Sequence, residues 1–271
     1  MRYTCNHDLH IHSVLSSCCS DKMQTTEAHL EYARKNGLDV ICITDHFWDS
    51  EHIPGASKWY QPQNYKHIRE SLPLPEAENI KYLFGCETDM DKFMTLGISD
   101  KVIDVLDFII VPTTHLHMDN FTIDEKDFSV ERRADVYVKR FEHLLSLDLP
   151  FHKIGIAHLT CPLIAPARNG NPSLYKEVLS LISDDTFREL FTVAAKKGVG
   201  IELNFSAESM DSETLEQNVR PFRIAKECGC KFYLGSDSHS AEGFKNIKKR
   251  FGIIISALEL TEDYKFDLAR Y

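Results

Sequence analysis

Short apolar runs rich in Val, Ile and Phe alternate along the chain with amphipathic stretches, and a loop carrying His, Asp or Glu follows almost every run. Brief apolar runs bounded by turn formers predict buried strands, whereas apolar positions recurring three and four apart predict helices. Strands are expected over His7–His12, Leu38–Thr44, Ile80–Cys86, Asp107–Pro112, Ile154–His158, Val199–Asn204 and Lys231–Gly235. Between the first two, T-T-E-A-H-L-E-Y-A-R-K-N-G opens on a capping Thr with an acidic residue behind it and closes on Gly37, so both helix ends are marked. Further helices are expected at Val130–Ser146, Asp184–Lys197 and Ser212–Cys228. This alternation of strand and helix predicts a parallel α/β sheet or barrel.

The segment Phe47–Pro75, with its Trp, Tyr and prolines, is longer than an ordinary βα loop and is expected to form a lid or substrate wall. No Gly/Ser linker or low-complexity tract divides the 271 residues, so one domain spanning 1–271 is the simplest organisation. The opening M-R-Y-T-C-N-H-D lacks the apolar stretch of a secretion signal and no run is long enough for a membrane span, which predicts a cytoplasmic protein with reduced cysteines. Neither Cys18-Cys19 nor Cys228-x-Cys230 has the spacing of a zinc knuckle. A net charge of −10 argues against a broad nucleic-acid-binding face. A small anionic substrate is compatible with it, provided that a positive centre exists locally.

The chemistry is concentrated at the strand ends. His10 and His12 in D-L-H-I-H are two apart on an extended segment, so both imidazoles face one side. The second strand ends in I-T-D-H with Asp45 and His46, the third in G-C-E-T-D led by Glu87, and the fourth in T-T-H-L-H with His115 and His117. The fifth ends on His158 and the seventh in G-S-D-S-H with Asp237 and His239. Singly, each has a bland explanation as a loop histidine or a capping Asp. Together they are what a parallel barrel would assemble at the C-terminal mouth of its strands. Imidazole and carboxylate donors without thiolates suit Zn²⁺, Mn²⁺ or Fe²⁺, and so many donors exceed the needs of one ion, so two or three divalent ions are expected.

The H-x-H after the first strand, the I-T-D-H, the Glu of C-E-T-D, the later single histidines and the S-D-S-H resemble the PHP (polymerase and histidinol phosphatase) family, over essentially the whole chain. The resemblance implies a distorted seven-stranded (β/α)7 TIM-like barrel and commonly a trinuclear metal centre. It also implies a ligand set in which His10, His12, Glu87 and Asp237 hold one metal. Glu87 would bridge to a second held by His115 and His158, and His46 and His239 would hold the third. The family has one more His or Asp shortly after H-x-H, where this chain has S-V-L-S-S-C-C-S-D; Asp21 is the choice for that ligand, with a Cys18 or Cys19 thiolate as the rival. His115 precedes His117 as ligand because it follows the strand more directly, which leaves His117 for substrate.

The implied activity is hydrolysis of a small phosphomonoester, histidinol phosphate or a similar molecule, by a metal-bound hydroxide, with Glu87, Asp237 and His239 as catalytic residues. Asp45 or His117 is a candidate proton donor to the leaving group. Glu202 and Asn204 in I-E-L-N either orient ligands or satisfy backbone groups at the mouth. Arg168 in A-P-A-R-N-G is the nearest cation in sequence to the ligand loops, either gripping a phosphate oxygen or standing as an ordinary surface arginine. His7, His29, His52, His67, His143 and His152 are expected at the surface or in packing. The alternatives are an amidohydrolase-like enzyme acting on a C–N bond, although no Lys stands among the strand-end donors, and a non-catalytic metal-binding module.

Overall fold

A computed structural model describes residues 1–204 and 210–267. Its core is a sheet of parallel strands: β1 (His7–Ile11), β2 (Val40–Ile43), β3 (His46–Phe47), β4 (Lys81–Thr88), β5 (Phe108–Pro112), β6 (Ile154–Ala157), β7 (Gly200–Leu203) and β8 (Lys231–Leu234). Seven of them run in the order β1-β2-β4-β5-β6-β7-β8, as the seven apolar runs predicted. The short β3 was not expected. It continues the line of β2 beyond Thr44 and pairs His46 with Glu87 and Phe47 with Thr88 of the longer β4.

The helices between strands follow their local signals closely. Thr25 accepts a hydrogen bond from the Ala28 amide, and Gly37 takes the left-handed conformation (φ 56°) that ends the helix Thr26–Asn36. Val130–Ser146 and Asp184–Lys197 form as expected, each capped by a serine, and the helix from Ser212 stops at Glu227, one residue early. No helix among the described residues is long and apolar enough to cross a membrane, and all eight cysteines are free thiols.

Strand residues alternate between two apolar layers because successive side chains point to opposite faces. Phe84, Cys86, Ile109, Val111, Ile154 and Ile156 pack outward against the helices. Leu83, Phe108, Ile110, Ala157 and Tyr233 point inward and, with Leu9, Cys42 and Phe266, plug the lower half of the barrel. Polar residues of the same inward series, such as Glu87 above Leu83 and Gly85, are thereby lifted to the mouth. On β1 the alternation is broken by a register shift between Asp8 and Ile11. Leu9 joins the interior plug while His10 and His12 both reach the mouth above it, which a strictly alternating strand would not permit.

The barrel closes between β1 and the end of β8 through both main chain and side chains: the His12 amide donates to the Ser238 carbonyl at 3.1 Å and the Asp237 amide to the His10 carbonyl at 2.8 Å. Among the described residues Ile11 and Ser238 form the one strand-type bridge there, and the His7 imidazole accepts from the Leu234 amide while the buried Asp8 carboxylate accepts from the Ser236 amide and the Tyr32 hydroxyl. Burial pushes the His7 pKa down to about 3, consistent with a neutral ring accepting in the seam.

Close packing inside the plug sets a first expectation. A Cβ on Gly155 would lie 2.5 Å from the Tyr233 ring, whereas one on Gly252, in the helix Ile247–Ala257, would meet nothing within 4 Å. Gly155→Ala should therefore cost about 1–3 kcal/mol by overpacking. Gly252→Ala should gain roughly 0.5–1 kcal/mol by reducing unfolded-state freedom. Urea unfolding of the two variants checks this, and effects of the same sign would contradict the interior packing described.

Candidate metal centre

His10, His12, His46, Glu87, His115, His158, Asp237 and His239 converge at the barrel mouth, as the strand-end pattern predicted. They arrive from six strand ends, and two of them, His158 and Asp237, take left-handed backbone conformations (φ 58° and 52°). Such conformations cost on the order of 1 kcal/mol in a non-glycine residue and persist where function demands a side-chain direction.

The outer hydrogen bonds of the imidazoles dictate which nitrogen faces inward. His10 Nδ1 donates to Glu202 Oε1 at 2.6 Å, His115 Nδ1 to Asp89 Oδ2 at 3.0 Å and His239 Nδ1 to the Asp237 carbonyl at 2.9 Å. Ser16 Oγ donates to Asp45 Oδ1, so it accepts from the His12 Nδ1–H at 2.9 Å. Acceptors thus take the Nδ1 proton in all four rings and leave each Nε2 as a lone pair turned inward.

Three overlapping donor groups result. In the first, His10 Nε2 and His12 Nε2 lie 3.0 Å apart, with Asp237 Oδ1 at 3.4 and 3.1 Å and Glu87 Oε2 at 3.5 and 3.3 Å from them. Donors at ~2.0–2.1 Å from a tetrahedral zinc are themselves about 3.3 Å apart. The second group is Glu87, His115 and His158, with Glu87 Oε1 3.2 Å from His158 Nε2 and 3.8 Å from His115 Nε2. The third is His12, His46 and His239, with the His12 and His239 rings stacked at 4.0 Å. Glu87 Oε2 is buried without a hydrogen-bond donor among the described residues, and two imidazole lone pairs face each other across 3.0 Å. Only cations or protons can sit among such donors, so the residues fit divalent metals.

The electrostatics agree. Burial works against ionising Glu87, but the His46 and His10 imidazoles hold its carboxyl well below the usual range, and Asp237 is held low by His10 and His158. Burial likewise opposes charge on the histidines, yet Glu202, Asp237 and Glu87 raise His10 well above its ordinary value, and Asp237, Glu202 and Glu87 push His158 up to about 9. Protons occupy the centre whenever cations do not.

Glu202, His10 and His158 also cluster, but this carboxylate is already engaged: Oε1 accepts from His10 Nδ1 and Oε2 from the His158 amide at 3.1 Å. It orients the donors from behind. Asn204 stands 3.5 Å from His158 Nδ1.

One expectation, Asp21, is not met, and two open candidates, Asp45 and Arg168, are turned elsewhere. Asp21 does not reach the third group: its carboxylate accepts from the Met23 and Ala241 amides and so ties the β1 loop to the segment after β8. Of the candidates after H-x-H, the Cys18 thiol lines the cavity at the centre. Asp45 is no proton donor to substrate, because it is buried behind His12 and accepts from the Ser13 amide and the Ser13 and Ser16 hydroxyls, each at 2.7 Å. Of the two readings of Arg168, the structure favours the surface arginine: its guanidinium forks onto Asp119 at 2.5 and 2.8 Å, stacks over Phe128 and does not line the cavity over the donors.

A cavity of about 600 Å³ opens over the donors. His117 lines it, along with Lys58, Trp59 and Tyr60 from the long segment after β3 and with Met118, Phe121 and Leu163. Burial pushes His117 down to about 4, so it faces the cavity as a neutral imidazole at pH 7. The segment Phe47–Pro75 thus supplies a cavity wall through Trp59 and Tyr60, as its length and aromatic residues suggested, whereas sequence reasoning missed Asp89 and Ser16. Asp89 alone carried a signal, two residues beyond Glu87 and hence on its face of an extended chain.

The PHP domain model matches residues 8–206. Probable phosphatases of Thermoanaerobacter sp. (strain X514) and Thermoanaerobacter pseudethanolicus (strain ATCC 33223 / 39E) are each 26% identical over 260 residues, covering 94% of this chain and 87% of the relative. Among solved structures, the histidinol phosphate phosphatase of Lactococcus lactis subsp. lactis Il1403, complexed with zinc, L-histidinol and phosphate, aligns with a TM-score of 0.61 at 18% identity. The alignment covers 97% of this chain and 98% of that one, a likeness of fold.

Two outcomes follow from the geometry. Asp21→Ala should keep its full metal content, measured by elemental analysis after reconstitution, and lose only a solvent-exposed loop tie; loss of one metal equivalent would restore Asp21 as a ligand. Because His10, His12 and His158 hold protons more tightly than free histidine, metal must displace those protons. Zinc titration into metal-free protein in weak buffer should release protons at pH 7, and affinity should rise with pH up to about 9; affinity independent of pH over that range would contradict the donor assignment.

Proposed function

Because the chain belongs to the PHP domain family, we propose that it is a metal-dependent phosphatase hydrolysing a small phosphomonoester. The observation that carries this reading is the set of three donor groups joined through Glu87 and His12 beneath a single cavity. The names of the curated relatives support the same reaction, and the solved neighbour holds zinc, an amino alcohol and phosphate in the same kind of barrel.

His10, His12, Glu87 and Asp237 would hold one ion, Glu87, His115 and His158 a second, and His12, His46 and His239 a third. Bound there, divalent ions supply Lewis acidity that brings the pKa of water towards neutrality and offsets the charge of a phosphoryl group. The chain's own residues do the rest. Glu202 and the Ser16–Asp45 pair fix His10 and His12, so that the inward nitrogens are aimed before substrate arrives. Trp59, Met118, Phe121 and Leu163 give the organic part of the ester an apolar wall, and Lys58 stands at the rim as a cation for an arriving anion. Histidinol phosphate is one ester of suitable size.

Metal-reconstituted protein should release inorganic phosphate from phosphomonoesters and leave amides intact in a panel assay. Glu202→Gln should lower kcat/KM roughly 10–100-fold, as expected of a group one step behind the ligands. Glu87→Gln, which touches all three donor groups or their neighbours, should lose far more. Equal losses in two folded variants, or hydrolysis of amides alone, would overturn the reading.

A further inference from the structure

One buried ion pair lies directly behind the second donor group. Asp89 follows β4 by a single residue and is fully buried, as is Arg140 in the helix Val130–Ser146. Arg140 donates to Asp89 Oδ1 at 2.6 Å, to the Met90 carbonyl at 2.8 Å and to the Thr113 carbonyl at 3.2 Å. The Met90 amide donates to the same Oδ1 at 2.7 Å. The other carboxylate oxygen, Oδ2, accepts from His115 Nδ1 at 3.0 Å and from the Tyr60 hydroxyl at 3.4 Å.

Burying such a pair is a poor way to stabilise a fold, because desolvation of the two charges offsets most of their attraction. Its geometry explains it better. With Oδ1 taken by Arg140 and a main-chain amide, the carboxylate cannot rotate, and Oδ2 stays aimed at the His115 ring. A carboxylate only accepts, so His115 must carry its proton on Nδ1 and present Nε2 as a lone pair towards Glu87 and His158. Tyr60, on the cavity wall, closes the arrangement from the substrate side.

We propose that Asp89, clamped by Arg140 and Tyr60, is a positioning residue that sets the tautomer of His115 and aims its Nε2 at the ion shared with Glu87 and His158. This rests on the metal-dependent reading of the same site. Asp89→Asn is the informative change. Its amide oxygen still accepts from Arg140 and the Met90 amide, so those hydrogen bonds are kept although Arg140 loses its counter-charge, and its NH₂ group now faces His115 Nδ1 and draws the ring into the tautomer protonated on Nε2.

The experiment combines zinc titration with ¹⁵N NMR of the histidine rings of metal-free protein at pH 8, the His115 signals being identified by their absence in His115→Gln. Wild-type protein should show the proton on Nδ1. Asp89→Asn should show it on Nε2 and bind one ion about 10–100-fold more weakly while the others keep their affinity. Tyr60→Phe removes one hydrogen bond from Oδ2 without disturbing the ion pair, so it should weaken the same ion to a lesser degree even if Asp89→Asn fails to fold. Unchanged zinc affinities in Tyr60→Phe and in folded Asp89→Asn, with the proton still on Nδ1, would overturn the proposal. Wild-type protein binding no divalent ion would remove the metal reading itself, and with it this role for Asp89.

Discussion

Glu87 is buried completely at the mouth of the barrel, and one of its oxygens has no hydrogen-bond donor among the described residues. Isolated burial of a carboxylate is very costly, and the site meets that cost by surrounding it with imidazoles from four other strand ends, His10 and His12, His46, His115 and His158, and placing Asp237 on the far side of two of them. The rest of the mouth is arranged around that carboxylate. Glu87 can stand there only because β4 is twice the length of β2, so that its inward series runs from Leu83 past Gly85 to the mouth.

The barrel beneath has one irregularity that matters to the chemistry. The register shift in β1 lets Leu9 fill the plug and His10 and His12 rise above it, and the same strand closes the barrel against β8 with a short main-chain pairing supplemented by the His7 and Asp8 side chains. Asp237 and His239, just past β8, are thereby held opposite the two β1 histidines. The seam that closes the fold is also the seam that forms the first donor group.

A second ring of buried acids stands behind the donors. Glu202 holds His10, Asp45 holds His12 through Ser16, and Asp89 holds His115, each from a strand or strand end next to the donor or across the mouth from it. Metal-ligating histidines generally need such partners to fix their tautomer. The three acids therefore share one task, and the acidity of the chain is spent partly inside the barrel rather than on its surface.

The periodicity of apolar residues determined the seven main strands and, to within a residue, four of the helices, because an inward and outward alternation and local caps are properties of neighbouring residues. The convergence of His10, His12, His46, Glu87, His115, His158, Asp237 and His239 was legible too, since parallel strands carry their C-terminal ends to one mouth whatever the distances along the chain. Direction within a loop was not legible. Asp21, Asp45 and Arg168 are of the right type and close to ligands in sequence, yet each is turned to a partner that sequence does not reveal: the Ala241 amide, the Ser13 and Ser16 hydroxyls and Asp119. Asp89 illustrates the converse, an acid whose use was fixed by Arg140 arriving 51 residues later. Sequence determined which strand end each donor occupies, through local rules of pattern and spacing. Only the tertiary structure decided where a polar side chain points, because that choice belongs to hydrogen-bond partners that meet after the barrel has closed.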